Sequence, residues 1–235
     1  MNLPEHAILC ATLDIRDGDD ANFVEWHTRE HLVERLAISG FLRGRRFVQE
    51  AASPRYLIVY DVESLAVLSQ PDYVERLNHP TPWTRATLAT FQNGRRSAYR
   101  LIAQQGGAEG AFLMVIRVAP DEPDRVQREI ERAVRGEWSA RPGIATVAFA
   151  IPDWLASTLD TEESRRSGNR FAEEWVVLVE GISAQSLLDF ARTELTSELR
   201  ERWAMVNGNG PEIFRLQVRL GAECMRLNEG RFRSV

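Results

Sequence analysis

The feature that most constrains the fold is an order of predicted elements that occurs twice along the chain. In each half, apolar runs alternate with helical segments in the order β-α-β-β-α-β, and a Gly-rich stretch at 104–110 separates the halves. In the first half we predict strands at Ala7–Ile15, Phe41–Gln49, Arg55–Glu63 and from the His79–Pro82 loop to Ile102, with helices ending near Ala37 and spanning Ser64–Asn78. In the second half we predict strands near 111–118, 144–150, 175–180 and 213–220, with helices at 122–137 and 184–205.

The strand predicted at Arg55–Glu63 indicates how the two halves combine. Its alternate residues Tyr56, Ile58 and Tyr60 are apolar, and so are Leu57 and Val59 on the opposite face. A sheet that is apolar on both faces must be covered on both. Helices cover one face of a β-α-β-β-α-β unit, so we expect the second half to cover the other face.

These patterns predict an α+β fold of two tandem ferredoxin-like units, whose antiparallel sheets pack face to face as an α/β barrel. We expect residues 1–105 to form the first unit and to carry the site. Residues 106–235 would form the second unit, a structural partner. A polar loop at 153–169 has no counterpart in the first half, and it lengthens the offset between the halves.

Composition excludes several functions. The net charge of −5 argues against a nucleic-acid partner. The chain contains no Lys, which excludes a Lys Schiff base and a P-loop. Cys10 and Cys224 are the two cysteines, too few for a disulfide framework or a zinc cluster. With no signal-peptide pattern and no apolar run of about 20 residues, a cytoplasmic protein is expected.

The first predicted helix places ionisable groups among core residues. At roughly 100° per residue, His27, Glu30 and Glu34 share the inward sector with Phe23 and Trp26, and His31 lies at its edge. By the same geometry, four polar residues point outward: Glu25, Thr28, Arg29 and Arg35. Buried ionisable groups require either partners or a function.

Three interpretations of this cluster stand open. The His and Glu side chains can form a purely structural network with nearby Arg residues. They can also form a general acid/base site, because a His beside a carboxylate moves protons near neutral pH. Finally, residues 27–31 match the H-x-x-E-H pattern of a zinc-binding helix, although the sequence offers no evident third ligand.

A second candidate region is the Pro-bounded loop that carries His79 and Trp83, which can close over a ligand or form a rigid corner. Arg residues in two predicted strands, Arg45–Arg46 and Arg95–Arg96, can pair with the helix carboxylates or contact an anionic ligand.

The stretch from Glu25 through His31 to Arg35, followed by Ser39-Gly40-Phe41 and Arg55-Tyr56-Leu57, resembles the EthD-like proteins of the dimeric α/β-barrel superfamily. The resemblance covers mainly residues 6–102. It implies a barrel of two ferredoxin-like units, and the helix His of EthD-like proteins corresponds to His31. Haem enzymes of the superfamily carry their iron-binding His in the second unit, whereas all four His residues here lie in the first, so no haem is expected.

Together these observations predict a small-molecule enzyme of EthD-like type, a cofactor-independent cyclase, isomerase or monooxygenase that acts on an aromatic or polyketide-like substrate. The candidate catalytic residues are His31, His27, Glu30 and Glu34. The candidate substrate-binding residues are Trp26, Tyr60, His79, Trp83 and Arg46. We expect no cofactor and no metal, and the fold allows a homodimer. The alternative is a ligand-binding or structural protein whose His, Glu and Arg network is satisfied.

Overall fold

The structure is a computed structural model that describes residues 6–49, 52–206 and 211–224. Within these residues the chain forms two compact units. Among the described residues, the first unit takes 6–49, 52–100, 153–172 and 217–224, and the second takes 101–152, 173–206 and 211–216. Each unit is therefore assembled from separate stretches of the chain. None of the helices in the described ranges has the length and apolar character that a membrane span requires.

The first unit begins with a strand and a long helical segment. Its elements are β1 (Ala7–Ile15), α1 (Asp20–Trp26), a π-helical turn (His27–His31), α2 (Leu32–Leu36), β2 (Phe41–Val48), β3 (Tyr56–Val62), a 3-10 turn (Leu65–Ser69), α3 (Pro71–Asn78), α4 (Pro82–Leu88) and β4 (Phe91–Gly106). The predicted strands β1, β2 and β3 are confirmed within one residue at each end.

Two predictions for the first unit are wrong in detail. The final strand does not follow directly from the His79–Pro82 loop, because α4 intervenes. Pro82 occupies the first turn of α4, and the Thr81 side chain accepts a hydrogen bond from the Thr84 backbone N–H, so both local signals favour a helix start. The helix predicted at Ser64–Asn78 is also divided into a 3-10 turn and α3.

Strand pairing places Tyr60 at the centre of the first unit. In β3 it lies opposite Leu9 of β1 and Gly44 of β2. A Cβ atom at Gly44 would lie 2.6 Å from Leu32 Cδ2 and 2.8 Å from Tyr60 Cε1. Gly44 therefore lets the helix and the Tyr60 ring approach the sheet closely.

The remaining strands and helices follow β4 along the chain. They are β5 (Phe112–Val118), α5 (Pro123–Arg135), a 3-10 turn (Trp138–Ala140), β6 (Ile144–Asp153), α6 (Trp154–Ser157), α7 (Glu162–Ser167), β7 (Trp175–Gly181), α8 (Ala184–Glu194), α9 (Ser197–Arg202) and β8 (Glu212–Gly221). Of these, α6 and α7 belong to the first unit, although they follow β6 in sequence. The single helix predicted at 184–205 is two helices, α8 and α9.

The sheet connectivity defines the fold class. The strands pair in the order β1-β3-β2-β8-β5-β7-β6-β4, and this order closes on itself. The chain is thus a mixed α/β protein with an eight-stranded antiparallel closed barrel, and the predicted barrel is confirmed at this level. Each unit has its own apolar core, and Phe23, Trp26 and Tyr60 belong to the core of the first.

Candidate active site

The helical segment that carries the His residues contains a π-helical turn. The Leu32 backbone N–H bonds to the carbonyl of His27, five residues earlier, rather than four as in an α-helix. One extra residue in a turn rotates everything after it by about 100° relative to an uninterrupted helix. π-helical turns occur frequently at functional sites.

This rotation decides which side chains face the interior. Before the π turn, Phe23 and Trp26 are buried, as the α-helical period predicts. After the turn, Arg35 is buried with 2% exposure, and Glu34 is only partly buried. The prediction that Arg35 points outward is therefore wrong, because the extra residue moves the inward position from Glu34 to Arg35.

A cavity of about 370 Å³ lies within the first unit. Its size falls within the range of about 300–1,000 Å³ that is typical of small-molecule sites. Apolar walls come from the sheet and from helices α3 and α4, and they include Leu9, Leu13, Ile58, Leu77, Leu88 and Phe91. Trp26, His31, Arg35, Tyr60, Tyr73 and Arg96 bring aromatic and polar groups to the same space.

His31, in the π turn, is the histidine on the cavity wall. Its ring centroid lies 4.4 Å from that of Trp26. Nδ1 is buried without a hydrogen-bond partner in the described residues. Burial, and then the charge of Arg35, lower the pKa of His31 well below its usual value, so the ring is neutral at pH 7.

Arg35 follows His31 by four residues, about one helical turn, and its side chain is buried. Its Nη2 donates to Glu163 Oε2 at 2.5 Å, and its guanidinium lies 5.6 Å from the centre of the Tyr73 ring. Burial opposes the charged form, but the Glu163 carboxylate together with Tyr73 and Tyr60 outweighs burial, and the pKa of Arg35 is raised above its usual value. Arg96 donates to Tyr73 Oη at 2.8 Å, so a second guanidinium reaches this wall.

The cavity is covered by residues 153–172, which we call the strap. This segment contains α6 and α7 and lines the cavity with Ser157, Thr161, Glu163, Asn169 and Phe171, among others. Both ends of the strap bond to β4: Ala98 N–H donates to Ser157 Oγ at 2.9 Å, and Ser97 Oγ donates to the Ala172 carbonyl at 2.9 Å. The strap includes the loop at 153–169 that lengthens the second half of the sequence.

The sequence-derived candidates divide into two groups. Trp26, His31 and Tyr60 line the cavity. Six other candidates are not among the residues that line the cavity: His27, Glu30, Glu34, Arg46, His79 and Trp83.

Of these, His27 is fully buried, with its Nε2 3.4 Å from Tyr60 Oη, and burial lowers its pKa well below the usual value. Arg46 is buried and donates to Gln217, to Thr28 and to a backbone carbonyl. Trp83 donates to Asn22 at 2.9 Å. These three residues support the fold around the cavity.

The carboxylates and His79 have other partners. Glu30 accepts hydrogen bonds from Thr81 at 2.6 Å and from Thr84 at 2.9 Å. Thr84 in turn accepts from the Trp26 indole N–H at 3.0 Å, so Glu30 fixes the orientation of a cavity wall. Glu34 pairs with Arg76 at 3.2 Å. The side chain of His79 is 70% exposed and pairs with Glu75.

Sequence reasoning did not predict Arg35, Tyr73 or Glu163 as site residues. The unmatched loop at 153–169 was a signal that this region has a separate role, but nothing local showed what it covers. Among the described residues, no three His, Cys, Asp or Glu side chains are grouped so as to hold a metal ion. A neutral imidazole such as His31 can accept a proton, and a buried guanidinium such as Arg35 can stabilise an anion.

No known protein family matches the chain, and neither does any curated protein. Solved structures do. An anthrone oxidase-like protein is 12% identical, with a TM-score of 0.64 and 94% of each chain covered. A candidate monooxygenase from Fusobacterium nucleatum is 11% identical, with a TM-score of 0.57, over 92% of this chain and 94% of that one. Chlorite dismutase from Candidatus Nitrospira defluvii, solved with imidazole, is 8% identical, with a TM-score of 0.57, over 92% and 93%.

These likenesses establish the fold class. The chain shares its overall fold with these solved structures, a mixed α/β fold whose strands form a closed antiparallel barrel. At identities of 8–13% they show the fold alone.

Proposed function

We propose that this protein is a cofactor-independent enzyme of EthD-like type that removes a proton from an aromatic or polyketide-like ketone or phenol, with His31 as the base. The observation that carries the proposal is a neutral imidazole on the wall of a largely apolar cavity, one helical turn from a buried Arg. Cyclases, isomerases and cofactor-free monooxygenases that act on such ketones share this first step.

The walls favour a flat, apolar substrate. Trp26, Tyr60 and Phe91 present aromatic faces, and aromatic side chains prefer offset or edge-on contacts with other rings. Polar groups gather where His31, Arg35 and Arg96 meet the cavity. A polycyclic molecule with one oxygen-bearing edge matches this division, because its rings would bury apolar surface while its oxygen met the Arg charges.

The proposed step uses the electrostatics of the wall. His31 accepts a proton from an acidic C–H or O–H of the substrate, and the electron pair left behind becomes an enolate or phenolate. Arg35 remains positively charged at all accessible pH values because Glu163 raises its pKa. The guanidinium therefore stabilises the anion in a site of low polarity, where such charge interactions are strongest.

The likeness to an anthrone oxidase-like protein suggests a test substrate. Anthrones have an acidic methylene group next to aromatic rings. After His31 removes one methylene proton, the carbanion reacts with O2. One anthrone and one O2 then give one anthraquinone and one water. We therefore propose dithranol, a dihydroxyanthrone, as a representative of the substrate class.

The experiment compares dithranol oxidation by the wild-type protein and by His31→Ala, measured as O2 consumption and anthraquinone absorbance. Loss of a general base should lower kcat/KM by about 10²–10⁴-fold. The matched control is Arg29→Ala, in the same π turn, whose side chain is exposed and pairs only with the exposed Glu25 in the described residues. His31→Ala at full activity would contradict the base assignment. Tight dithranol binding without turnover by the wild type would favour a ligand-binding protein.

The architecture of the proposal includes two further elements. We propose that the chain is a tandem duplication of ferredoxin-like units, in which residues 1–105 carry His31 and Arg35, and residues 106–235 complete the barrel and supply the strap. The β-α-β-β-α-β order of strands and principal helices, which occurs twice, supports this proposal. Size-exclusion chromatography with light scattering would show whether the chain also forms a homodimer.

A further inference from the structure

We propose that Glu163 is a positioning residue, which holds Arg35 beside His31 and makes the strap an essential part of the active site. This inference deepens the proposed function and rests on it, since it assumes that His31 and Arg35 act together on a ligand. Residues 153–172, which follow β6 in the sequence but belong to the first unit, thereby gain a role in the site.

The position of Arg35 depends on its contact with Glu163. Within the described part of the chain, its guanidinium has a hydrogen-bonded ion pair with Glu163 and a contact with the face of Tyr73. Nη1 is buried and makes no hydrogen bond there. The guanidinium can slide over the face of the Tyr73 ring, whereas its Nη2 is held 2.5 Å from Glu163 Oε2 by a hydrogen bond. Glu163 is thus the group that determines where the charge sits.

The strap holds Glu163 rigidly. Glu163 lies in the first turn of α7, which begins with a reciprocal capping box between Thr161 and Ser164. The neighbouring Glu162 backbone N–H donates to Asn78 Oδ1 of α3 at 3.2 Å. With both ends of the strap bonded to β4, Glu163 is placed before any ligand binds, which is the condition for positioning a catalytic group.

Arg35 in turn affects the pKa of His31. Three charged or titratable groups, Arg35, His27 and Arg96, lower its pKa in addition to burial, and Arg35 has the largest effect of the three. If Arg35 moved away, the pKa of His31 would rise toward its usual value. The titration of His31 therefore reports the position of Arg35 without any substrate.

A purely structural ion pair predicts something different. In that case Arg35 stays in place when Glu163 is removed: stability falls, the pKa of His31 stays the same or falls with the lost negative charge, and the affinity of the cavity is unchanged in the folded fraction. Stability alone thus cannot decide the question, whereas titration and binding can.

The experiment uses the full-length protein and three variants: Glu163→Ala, Glu163→Gln and the control Glu162→Ala. Gln keeps an oxygen that can accept from Arg35, so it is the conservative rescue. Glu162 belongs to the same turn of α7, and its side chain pairs with the exposed Arg165 and Arg166. His31 is titrated by NMR, with His31→Gln to assign its signal. Affinity is measured with dihydroxyanthraquinone, which is not oxidised further.

We expect Glu163→Ala to raise the pKa of His31 and to weaken dihydroxyanthraquinone binding by about tenfold or more, as loss of a charged hydrogen bond predicts. Glu163→Gln should fall between Glu163→Ala and wild type, and Glu162→Ala should match wild type. An unchanged or lowered pKa of His31 together with an unchanged affinity in folded Glu163→Ala would overturn the proposal. If that variant does not fold, the same two readouts in Glu163→Gln decide. Failure of wild-type dithranol oxidation would refute the proposed reaction, while the titration would still test Glu163.

Discussion

The buried ion pair between Arg35 and Glu163 allows a quantitative test by a double-mutant cycle. The two side chains are 2% and 10% exposed, so water screens neither charge effectively. Removing one partner of a buried pair leaves an uncompensated charge and typically costs about 3–5 kcal/mol. We expect Arg35→Met and Glu163→Leu each to lower the free energy of unfolding by that amount.

The double variant should lose less free energy of unfolding than the two single variants do when their losses are added. Replacement of a buried pair by apolar residues of similar volume is often neutral or stabilising by about 1–4 kcal/mol. Simple addition of the single effects predicts a loss of about 6–10 kcal/mol, comparable with the whole stability of a protein at about 5–15 kcal/mol. We therefore expect Arg35→Met/Glu163→Leu to be more stable than either single variant.

The assay is urea unfolding followed by far-UV circular dichroism, with the linear extrapolation applied to all four proteins. The control is the ion pair of Arg166 and Glu162 in the same strap, whose side chains are 46% and 29% exposed and therefore much more accessible to water than Arg35 and Glu163. Exposed pairs contribute about 0–1 kcal/mol, so Arg166→Ala should be nearly silent. The reasoning would be refuted by a double variant that loses the full sum, or by single variants as silent as the control.

Three further predictions follow from the site and its surroundings. Gly44→Ala should lower stability by about 1–3 kcal/mol in urea unfolding, because the added methyl overlaps side chains at 2.6 and 2.8 Å. Trp26→Phe removes the indole hydrogen bond to Thr84 and should cost about 0.5–1.5 kcal/mol, with weaker dihydroxyanthraquinone binding in a fluorescence titration. Folding lowers the pKa of both His27 and His31, so the unfolded state binds more protons below about pH 6.5. The free energy of unfolding should therefore fall as pH drops from 7 to 5, and a variant with Gln at both positions should show a flatter dependence.

The rate of the proposed reaction should also depend on the protonation state of His31. Neutral His31 is the active form, and its pKa lies well below the usual value. The kcat/KM for dithranol should thus be level at pH 7 and above with respect to this group, and it should fall only in the acidic range. A limb that titrates above pH 7 in wild type and disappears in His31→Gln would contradict the environment described for His31.

The sequence by itself determined the strand framework and part of the cavity wall. The apolar run at Arg55–Glu63 predicted β3, because an alternating strand that is apolar on both faces has a strong local signature. The amphipathic period placed Trp26 inward, and the cluster of ionisable groups around it drew attention to His31. Tyr60 followed from its strand face. These signals come from residues that are close in the sequence, so they can be recognised without knowledge of distant contacts.

Only the tertiary structure decided the polar half of the site. The π-helical turn replaces an α-helical backbone hydrogen bond by a similar one between residues five apart. The sequence around His27 and His31 therefore gives no local sign of the turn, which is selected by packing. That choice turned Arg35 inward and left Glu34 at the edge. Its partner Glu163 lies 128 residues further along the chain, in a loop with no periodic pattern. Contacts of this range leave no local trace, because they form only when the strap folds back across the unit that it covers.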